Sequence, residues 1–590
     1  MWAVAIGAKK IEGGRILKIQ KRKVSWGLLL LAMVTLGGCN QANQSKNDKE
    51  GEKEAVSVVR ETAFGKVKGS EEKDALIWLG IPYGGDTAKE ARWKAPTDPE
   101  PWEDERDATK AGSVALQAGA DGVTGSEDGL NLDIYRPNND KKDLPVLVYV
   151  HGGNNQTGTA AEISGASFVA DHDAIVVSVN YRLGPLGFNP LPALKDGSEE
   201  ENSGNYALLD LSKSLDWVKE NIENFGGDKD NVTMSGFSAG GRDVMAMLIS
   251  PIFEGKFNKA ISFSGGMTIA DEKKSQDVYA EAIAPLVVED GVKKDEAEAK
   301  KWLLSSDSEV KDYLYALDGD RLVSLMSNAG IRMNVFPHLF NDGYVIPEEG
   351  FDTTSYNSVP LMMLTGEQEF SLFGRFDPYF AKYIEDGKID SDPEIANQYA
   401  FINKYGGQLY SLFNVEDSAE KMNKNYQSPI YGMEIEFGQD QAVVGEDMAK
   451  LGAFHGVFVP LLDTQSKNYA GLVGDAYESD GAKELSKMFQ DYVYEFIKNG
   501  DPNGTDLPQW DEWKEDASDN LLFVNADKQK ASAEMGSKEY DYEKVLEDID
   551  KDTTITDEQK KELINKVMNG RWFSKGLDKK YDQLSEFDKE

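Results

Sequence analysis

The sequence has little cysteine, little histidine and little positive charge. Its 590 residues include one cysteine and four histidines, and 64 Lys and Arg residues stand against 103 Asp and Glu, for a net charge of −39. A single cysteine excludes a disulfide within the chain. The acidic balance excludes the basic surface that binds phosphates, so we expect no nucleic-acid partner. What is present, 40% hydrophobic and 10% aromatic residues, is typical of a globular protein with a sizeable core.

The first 38 residues are basic and contain a short apolar run. The cluster Lys21-Arg22-Lys23 precedes the run from Val24 to Val34, which is short for a membrane span and suits the core of a signal peptide. The run leads to Leu36-Gly37-Gly38-Cys39, which resembles the lipobox of bacterial lipoproteins, whose cysteine is lipidated. We therefore expect a signal peptide over 1–38 and an extracytoplasmic protein that a lipid on Cys39 anchors to the cell membrane. The alternative is an ordinary signal peptide with an incidental cysteine.

The polar residues that follow Cys39 predict a flexible tether, so 39–56 is assigned as lipidated cysteine and tether. No later stretch approaches 18 apolar residues. We expect the main domain over 57–525 and an acidic helical extension over 526–590.

Short apolar runs alternate with helical patterns through the main domain. The runs are 145–150, 174–179, 231–235, 259–263 and 359–364. Runs that are apolar on both faces predict central strands of a parallel sheet. Apolar residues recur every three or four positions from Tyr206 to Asn224, which predicts an amphipathic helix that Gly226 and Gly227 can end. The alternation predicts an α/β fold, a large, mostly parallel sheet with helices on both faces and its active site at the carboxyl ends of the strands.

A candidate nucleophile lies in one strand-ending loop. Gly236-Phe237-Ser238-Ala239-Gly240 stands between a predicted strand and a predicted helix, the context of a nucleophile elbow. Ser238 would sit on a strained turn that lifts its hydroxyl from the sheet, and the flanking glycines avoid a clash with the crossing backbone. The motif alone is a weak signal, and its place between strand and helix makes Ser238 the predicted nucleophile.

A serine hydroxyl needs a base, and four histidines are available. In this kind of fold the order along the chain is nucleophile, acid, histidine. His455, in the small-residue loop Gly452 to Gly456, lies far downstream of Ser238 and is the predicted base. We expect His151 to support the neighbouring loop, His172 to be solvated and His338 to be packed.

The acid that orients the base should follow a strand between the serine and the histidine. Glu367 and Glu369 both follow the predicted strand 359–364, and Asp342 is a weaker third choice. Composition does not choose between the two glutamates.

A glycine-rich loop after another strand predicts an oxyanion hole. His151-Gly152-Gly153-Asn154 follows the run 145–150, and the backbone N–H groups of Gly153 and Asn154 could point at a substrate oxygen. Ala239, directly after the serine, would supply a third N–H group. The alternative is a glycine turn without a catalytic role.

With these residues the chain resembles the type-B carboxylesterases, the cholinesterase-like branch of the α/β-hydrolases, over about 57–525. The segments that carry the resemblance are Gly80-Ile81-Pro82-Tyr83, Arg92-Trp93-Lys94-Ala95-Pro96, Asn180-Tyr181-Arg182-Leu183-Gly184, Phe225-Gly226-Gly227-Asp228, Gly500-Asp501-Pro502-Asn503 and Pro508-Gln509-Trp510. The resemblance implies an α/β-hydrolase fold and a serine esterase that forms an acyl-enzyme. It also implies small-molecule ester substrates, with no cofactor and no metal.

The resemblance assigns roles residue by residue. Ser238 corresponds to the nucleophile and His455 to the base. Glu369, followed by Phe370 and Ser371, matches the family's acid loop and is preferred to Glu367 as the acid. Gly153, Asn154 and Ala239 take the oxyanion positions.

The chain also departs from the family pattern. Phe237 stands where the family usually has a glutamate, Asn154 replaces a third glycine, and Ala115 and Gly129 stand at the positions of the family's first disulfide. Arg242-Asp243 replaces a small pair, and we expect it to form an ion pair in the first turn of the helix.

The C-terminal extension lies outside the resemblance. Thr556 to Gln559 predicts a capping box that begins a helix, with Gly570 after its end. Trp572 and Phe573 could then dock on the domain, or the segment could be a partly ordered acidic tail.

Two alternatives to an esterase remain open at this point. The same residues would serve an acyl hydrolase of amides, lactones or thioesters. A non-catalytic cholinesterase-like binding module is a further alternative, although the predicted serine, histidine, carboxylate and oxyanion loop are all present.

Overall fold

The computed structural model describes residues 56–119, 122–327, 332 and 335–581. The predicted signal peptide, Cys39 and all but the last residue of the predicted tether lie outside these residues. No helix in the described part of the chain is long and apolar enough to cross a membrane.

The strands follow one another through the chain in the order that the alternating pattern predicts. Their bounds are β1 Val59–Thr62, β2 Gly65–Lys68, β3 Ser70–Glu72, β4 Ala75–Pro82, β5 Arg106–Asp107, β6 Gln117–Gly119, β7 Gly122–Thr124, β8 Asn131–Pro137, β9 Leu144–Val150, β10 Ile175–Val179, β11 Gly227–Phe237, β12 Lys259–Phe263, β13 Leu361–Gly366, β14 Ile430–Ile435, β15 Leu521–Ala526 and β16 Ala531–Gly536.

The α-helices lie between and after these strands. Their bounds are α1 Ala166–Asp171, α2 Gly184–Gly187, α3 Glu199–Asn202, α4 Tyr206–Asn221, α5 Ala239–Met247, α6 Glu272–Glu289, α7 Glu296–Leu303, α8 Ser308–Ala316, α9 Gly319–Val323, α10 Ser371–Phe376, α11 Pro378–Glu385, α12 Lys388–Ser391, α13 Pro393–Asn414, α14 Glu416–Met422, α15 Gln441–Ala449, α16 Val459–Leu462, α17 Ala470–Val473, α18 Asp480–Asn499, α19 Tyr542–Lys551, α20 Asp557–Leu563 and α21 Lys575–Lys580.

Eleven strands form the central sheet, in the order β16-β15-β14-β13-β12-β11-β9-β10-β8-β4-β3. The seven strands from β15 to β10 pair in parallel, and the two edges are antiparallel. The predicted α/β-hydrolase fold, a large and mostly parallel sheet with helices on both faces, is therefore confirmed.

Both faces of the sheet are covered, as the alternation along β9 shows. Val146 and Val148 belong to one hydrophobic cluster, with leucines of α4 and residues of α5. Leu147 and Tyr149 belong to a second cluster, with residues of α1 and α18. Successive side chains of a strand point to opposite faces, so the apolar runs of the sequence reflect burial on both sides.

The five predicted central strands are confirmed as β9 to β13, with ends shifted by a few residues. The largest difference is β11, which begins at Gly227 because its pairing with β9 shifts register between Gly227 and Val232. The predicted helix from Tyr206 is α4, which continues as a 3-10 turn over Ile222–Phe225. Gly226 ends that turn with a positive φ of 88°, a conformation that glycine adopts without strain.

The C-terminal extension packs on the rest of the chain. The sheet continues past the predicted boundary at 525, because β16 pairs with β15 along its whole length. The predicted capping box is confirmed at Thr556 and Gln559. Beyond Gly570, Trp572 is 5% exposed and Phe573 is 2% exposed, so both rings are buried.

Candidate active site

Ser238 occupies the turn between β11 and α5. Its φ of 56° and ψ of −113° are strained for a residue with a side chain. A Cβ on Gly236 would lie 2.3 Å from the carbonyl of Gly240, and one on Gly240 would lie 2.2 Å from the carbonyl oxygen of Val150. Only glycine fits at these two positions, which explains the spacing of the motif. The Ser238 N–H group donates to the carbonyl of Phe263 at 2.9 Å and fixes the turn against β12.

His455 and Glu369 meet at the same edge of the sheet. The Nδ1 atom of His455 and the Oε2 atom of Glu369 are 2.5 Å apart, and both side chains are buried. The other carboxylate oxygen of Glu369 accepts hydrogen bonds from the Gly366 N–H group at 2.7 Å and from the hydroxyls of Ser264 and Thr365 at 2.5 and 3.2 Å. These bonds hold the carboxylate in place, aimed at the imidazole.

The two other candidate acids have different partners. Glu367 hydrogen-bonds with the side chain of Gln439. Asp342 accepts from the backbone N–H groups that follow it and from the side chain of Asn205. The structure therefore brings Glu369 to His455 and leaves both alternatives elsewhere.

Three aromatic rings surround the imidazole of His455. The ring centroids of Phe237, Phe373 and Tyr410 lie 4.8, 5.0 and 5.5 Å from that of His455. The Nε2 atom of His455 is buried and has no hydrogen-bond partner in the part of the chain that the structure describes. Within the described residues no hydrogen bond joins it to the Ser238 hydroxyl, so the contact for proton transfer is not made in this conformation. Such contacts often tighten when substrate binds.

The predicted oxyanion loop lies directly beside the serine. A Cβ on Gly152 would lie 3.2 Å from the Cβ of Ser238. Gly153 and Asn154 have positive φ angles of 105° and 56°, and a side chain on Gly153 would strike the Thr157 carbonyl at 2.1 Å. The Gly152 N–H group is already bonded to the Glu162 carboxylate at 2.9 Å. Ala239 is the first residue of α5, where N–H groups lack partners within the helix.

Side chains behind the loop hold it in place. The Asn154 side chain accepts from Arg242 at 3.0 Å and donates to Gln156 at 3.2 Å. Asn155 donates to Asp243 at 2.8 Å and accepts from the Tyr181 hydroxyl at 2.9 Å. The predicted ion pair between Arg242 and Asp243 is therefore wrong, because each side chain binds a different residue of the loop.

The remaining histidines have structural surroundings. His151 stacks on Tyr181 with ring centroids 4.6 Å apart, and burial lowers the pKa of His151 to about 4, so the ring is neutral. His338 is fully buried, as predicted. The prediction that His172 is solvated is wrong, since it is 8% exposed, packs on Phe168 and hydrogen-bonds with Asp491.

Sequence reasoning missed several residues that border the site. Ser264, which donates to Glu369, follows β12 just before a glycine pair, and its strand-end position was the available signal. Docking of Trp572 and Phe573 on the domain is one of the two predictions for the extension, but the sequence gives no signal that they lie beside Arg242 and Tyr410. The Trp572 ring lies over the guanidinium carbon of Arg242 at 3.7 Å, and Phe573 stacks on Tyr410 with centroids 4.6 Å apart. The extension thus closes one side of the site.

No cluster of side chains suited to a metal ion is found in the described ranges. The arrangement offers a strained serine, a histidine paired with a carboxylate, and backbone N–H groups beside the serine. Those parts are suited to nucleophilic acyl transfer.

Comparisons with known proteins agree on one family. The model of the carboxylesterase family matches residues 56–428. The para-nitrobenzyl esterase of Bacillus subtilis is 29% identical over 497 residues, covering 78% of this chain and 94% of that protein. Carboxylesterase 1E of Rattus norvegicus is 30% identical over 504 residues, covering 77% of this chain and 87% of that protein. A solved structure of a PNB esterase matches with a TM-score of 0.65 at 26% identity, covering 83% of this chain and 100% of that one.

Proposed function

The chain belongs to the carboxylesterase family and is a carboxylic ester hydrolase, and we propose that it works through a Ser238-His455-Glu369 triad and an acyl-enzyme. The observation that carries the proposal is the hydrogen bond between His455 and the buried Glu369, formed beside a strained serine turn. Ser238 and Glu369 follow strands β11 and β13 of the sheet, and His455 lies in the loop between α15 and α16.

In the first half of the reaction the Ser238 hydroxyl attacks the carbonyl carbon of the ester. His455 Nε2 takes the hydroxyl proton, and the Glu369 carboxylate holds the Nδ1–H group and stabilises the imidazolium. The N–H groups of Gly153, Asn154 and Ala239 stabilise the negative oxygen of the tetrahedral intermediate. The intermediate collapses when His455 returns the proton to the leaving alcohol, which leaves the acyl group on Ser238.

In the second half a water molecule replaces the alcohol. His455 takes a proton from the water as it attacks the acyl-enzyme, and the same N–H groups again hold the oxyanion. Collapse releases the carboxylic acid and returns the proton to Ser238. The substrates proposed are small-molecule carboxylic esters, and the same triad could act on amides, lactones or thioesters.

The proposed position of the enzyme is the outer face of the cell membrane. Its support is the sequence alone, namely the basic cluster, the apolar run and Cys39 in a lipobox-like context. Two acyl chains on a cysteine-linked glycerol hold a protein far more firmly than one chain. The acidic domain would be repelled by anionic headgroups, so we expect the tether to hold it away from the bilayer.

Replacing Ser238 by alanine tests the triad. Ser238→Ala should lower ester turnover by roughly 10⁴-fold or more, because the triad acts as a unit, and should abolish labelling by an organophosphate. Ser235→Ala is the matched control, since this buried serine three residues earlier donates to the Val148 carbonyl and should label normally. Undiminished turnover by Ser238→Ala, with contaminating esterase excluded by a parallel purification, would show that another nucleophile does the work.

A further inference from the structure

Arg242 is a buried cation beside the serine turn that forms no ion pair with a carboxylate of the described residues. The residue is 0% exposed, and its side chain donates from Nη2 to the Asn154 side chain. The Nε and Nη1 atoms are buried and have no hydrogen-bond partner among the described residues. Burial lowers the pKa of Arg242 to about 10, so the guanidinium is still charged at neutral pH. Buried charges in proteins are normally paired, and an unpaired one is costly to keep.

The charge of Arg242 is offset only in part at neutral pH, because the nearby Asp243 carboxylate acts on it but burial raises the pKa of Asp243 to about 7. Asp243 is the next residue, but its carboxylate accepts from Asn155 and forms no ion pair with Arg242 among the described residues. Burial and the nearby charge of Arg242 lower the pKa of His338, so that imidazole is neutral. Trp572 covers the flat face of the guanidinium. A ring over that face leaves the N–H groups at the edge free to donate.

The position of Arg242 places its charge next to the reacting centre. Its backbone N–H group donates to the Ser238 carbonyl at 3.0 Å, one helical turn away. Side chains in a helix lean toward its N-terminus, so Arg242 extends over the turn that begins at Ser238. Its Nη2 atom reaches the predicted oxyanion residue Asn154. Trp572, on its other side, contacts Tyr410, which stacks on His455.

We propose that Arg242 binds a free carboxylate carried by the ester substrate, so that the preferred substrates are esters bearing a second, unesterified carboxyl group. This rests on the proposed esterase function and narrows its substrate class. The three N–H groups on Nε and Nη1 have no partner within the described ranges, which permits the paired hydrogen bonds that arginine makes to a carboxylate. The carboxylate could belong to the acyl part or to the alcohol part of the ester, and matched substrates distinguish the two.

The experiment compares carboxylate esters with their carboxamide counterparts. In the first arm, the monoethyl ester of adipic acid is compared with the same ester whose free carboxylate is replaced by a carboxamide. In the second arm, the acetyl ester of γ-hydroxybutyrate is compared with its carboxamide. The measured quantity is the ratio of kcat/KM within each pair, at an ionic strength near 0.15 M, where screening over about 8 Å limits repulsion from the acidic surface.

We expect the wild-type enzyme to prefer the carboxylate by about tenfold or more in one arm. Arg242→Gln should remove that preference, and Arg242→Lys should keep part of it. Arg571→Gln is the matched control, because this buried arginine packs on Phe370 and bonds to the Val567 carbonyl, and the ratio should survive.

Three results would overturn the proposal. One is a wild-type ratio near unity in both arms. Another is that Arg242→Gln lowers kcat/KM equally for the carboxylate ester and its carboxamide counterpart, which would mean that Arg242 only positions Asn154. The third is an equal loss of the ratio in Arg571→Gln.

A binding measurement separates this proposal from the esterase function itself. Calorimetric titration of the wild-type protein with adipate and with adipamide needs neither turnover nor a folded variant. Selective binding of adipate supports the carboxylate site. If the protein binds adipate selectively but hydrolyses no ester, the proposed esterase function is wrong and the carboxylate site is not. Equal or absent binding of the two compounds counts against the site.

Discussion

Replacing the carboxylate of Glu369 by an amide tests most directly whether Glu369 orients His455. Glutamine has the same shape, so in Glu369→Gln the oxygen that accepts from Gly366, Ser264 and Thr365 can stay in place. The amide NH₂ group then faces Nδ1 of His455. Because NH₂ can only donate, the imidazole must present a lone pair at Nδ1 and carry its proton on Nε2. That tautomer cannot accept the proton of Ser238.

The expected loss in kcat is about 10⁴-fold, the size produced when the acid of a serine-protease triad becomes an amide. This corresponds to about 5.5 kcal/mol of transition-state stabilisation. Stability should change little, because the substitution adds no cavity and removes a buried charge. A large loss of activity with an almost unchanged melting temperature therefore separates a catalytic effect from unfolding.

The assay is steady-state hydrolysis of a chromogenic aryl ester, with thermal melts of each variant in parallel. Glu367→Gln is the matched control, since Glu367 is two residues away and bonds to Gln439. Its turnover should stay within about twofold of wild type, as for most substitutions outside such networks. If Glu367→Gln loses as much as Glu369→Gln, or if Glu369→Gln keeps more than about a tenth of the activity, the assignment of the acid is refuted.

Three further changes test other parts of the molecule. Burial lowers the pKa of His151 from 6.5 to about 4, so between these values the unfolded chain binds a proton that the folded chain does not. Unfolding free energy should therefore fall by up to about 3 kcal/mol as pH drops through this window, and His151→Phe should remove that part of the slope in urea melts. Trp572→Ala empties a buried site and should destabilise the fold by roughly 3–5 kcal/mol, measured by denaturant unfolding; an unchanged midpoint would mean that the extension does not dock. Cys39→Ser should abolish incorporation of radioactive fatty acid and release the protein from the membrane fraction. If the wild-type protein takes up no label, the lipid anchor is wrong and the segment is an ordinary export signal.

Strands β9 to β13 could be predicted from the sequence, and the strands on either side of them could not. Strands β9 to β13 are apolar on both faces, so they stand out as continuous runs. Strand β14 is buried but contains Gly432 and Glu434, and the Glu434 carboxylate is paired with Lys538 from the extension. Lys538 lies 104 residues after Glu434, so the local sequence does not show that the carboxylate is paired. Without that partner a buried glutamate would be costly, and the sequence of β14 therefore resembles a polar loop.

At the site, too, the sequence predicts features that depend on neighbouring residues and not those that depend on distant ones. Ser238 and His455 follow from motif and order, because the glycines around the serine are dictated by backbone contacts within the turn itself. The choice of Glu369 over Glu367 came from resemblance, since only the fold shows which carboxylate points at the base. The predicted pairing of Arg242 with Asp243 is wrong because neighbours along a helix do not face each other, and their partners lie 88 residues earlier in the predicted oxyanion loop.

Phe237 changes the electrostatics around the base. A glutamate, expected there from the family resemblance, would place a second carboxylate beside His455. Instead the imidazole is surrounded by the rings of Phe237, Phe373 and Tyr410. In the proposed mechanism, Glu369 directly stabilises the positive charge that forms on the ring when Ser238 gives up its proton, and an aromatic face can attract a cation as well. Aromatic faces contribute less than a hydrogen-bonded carboxylate in a water-excluded site. Charge development at His455 should therefore depend strongly on Glu369, so we expect the amide substitution to lower activity at Glu369 and not at Glu367.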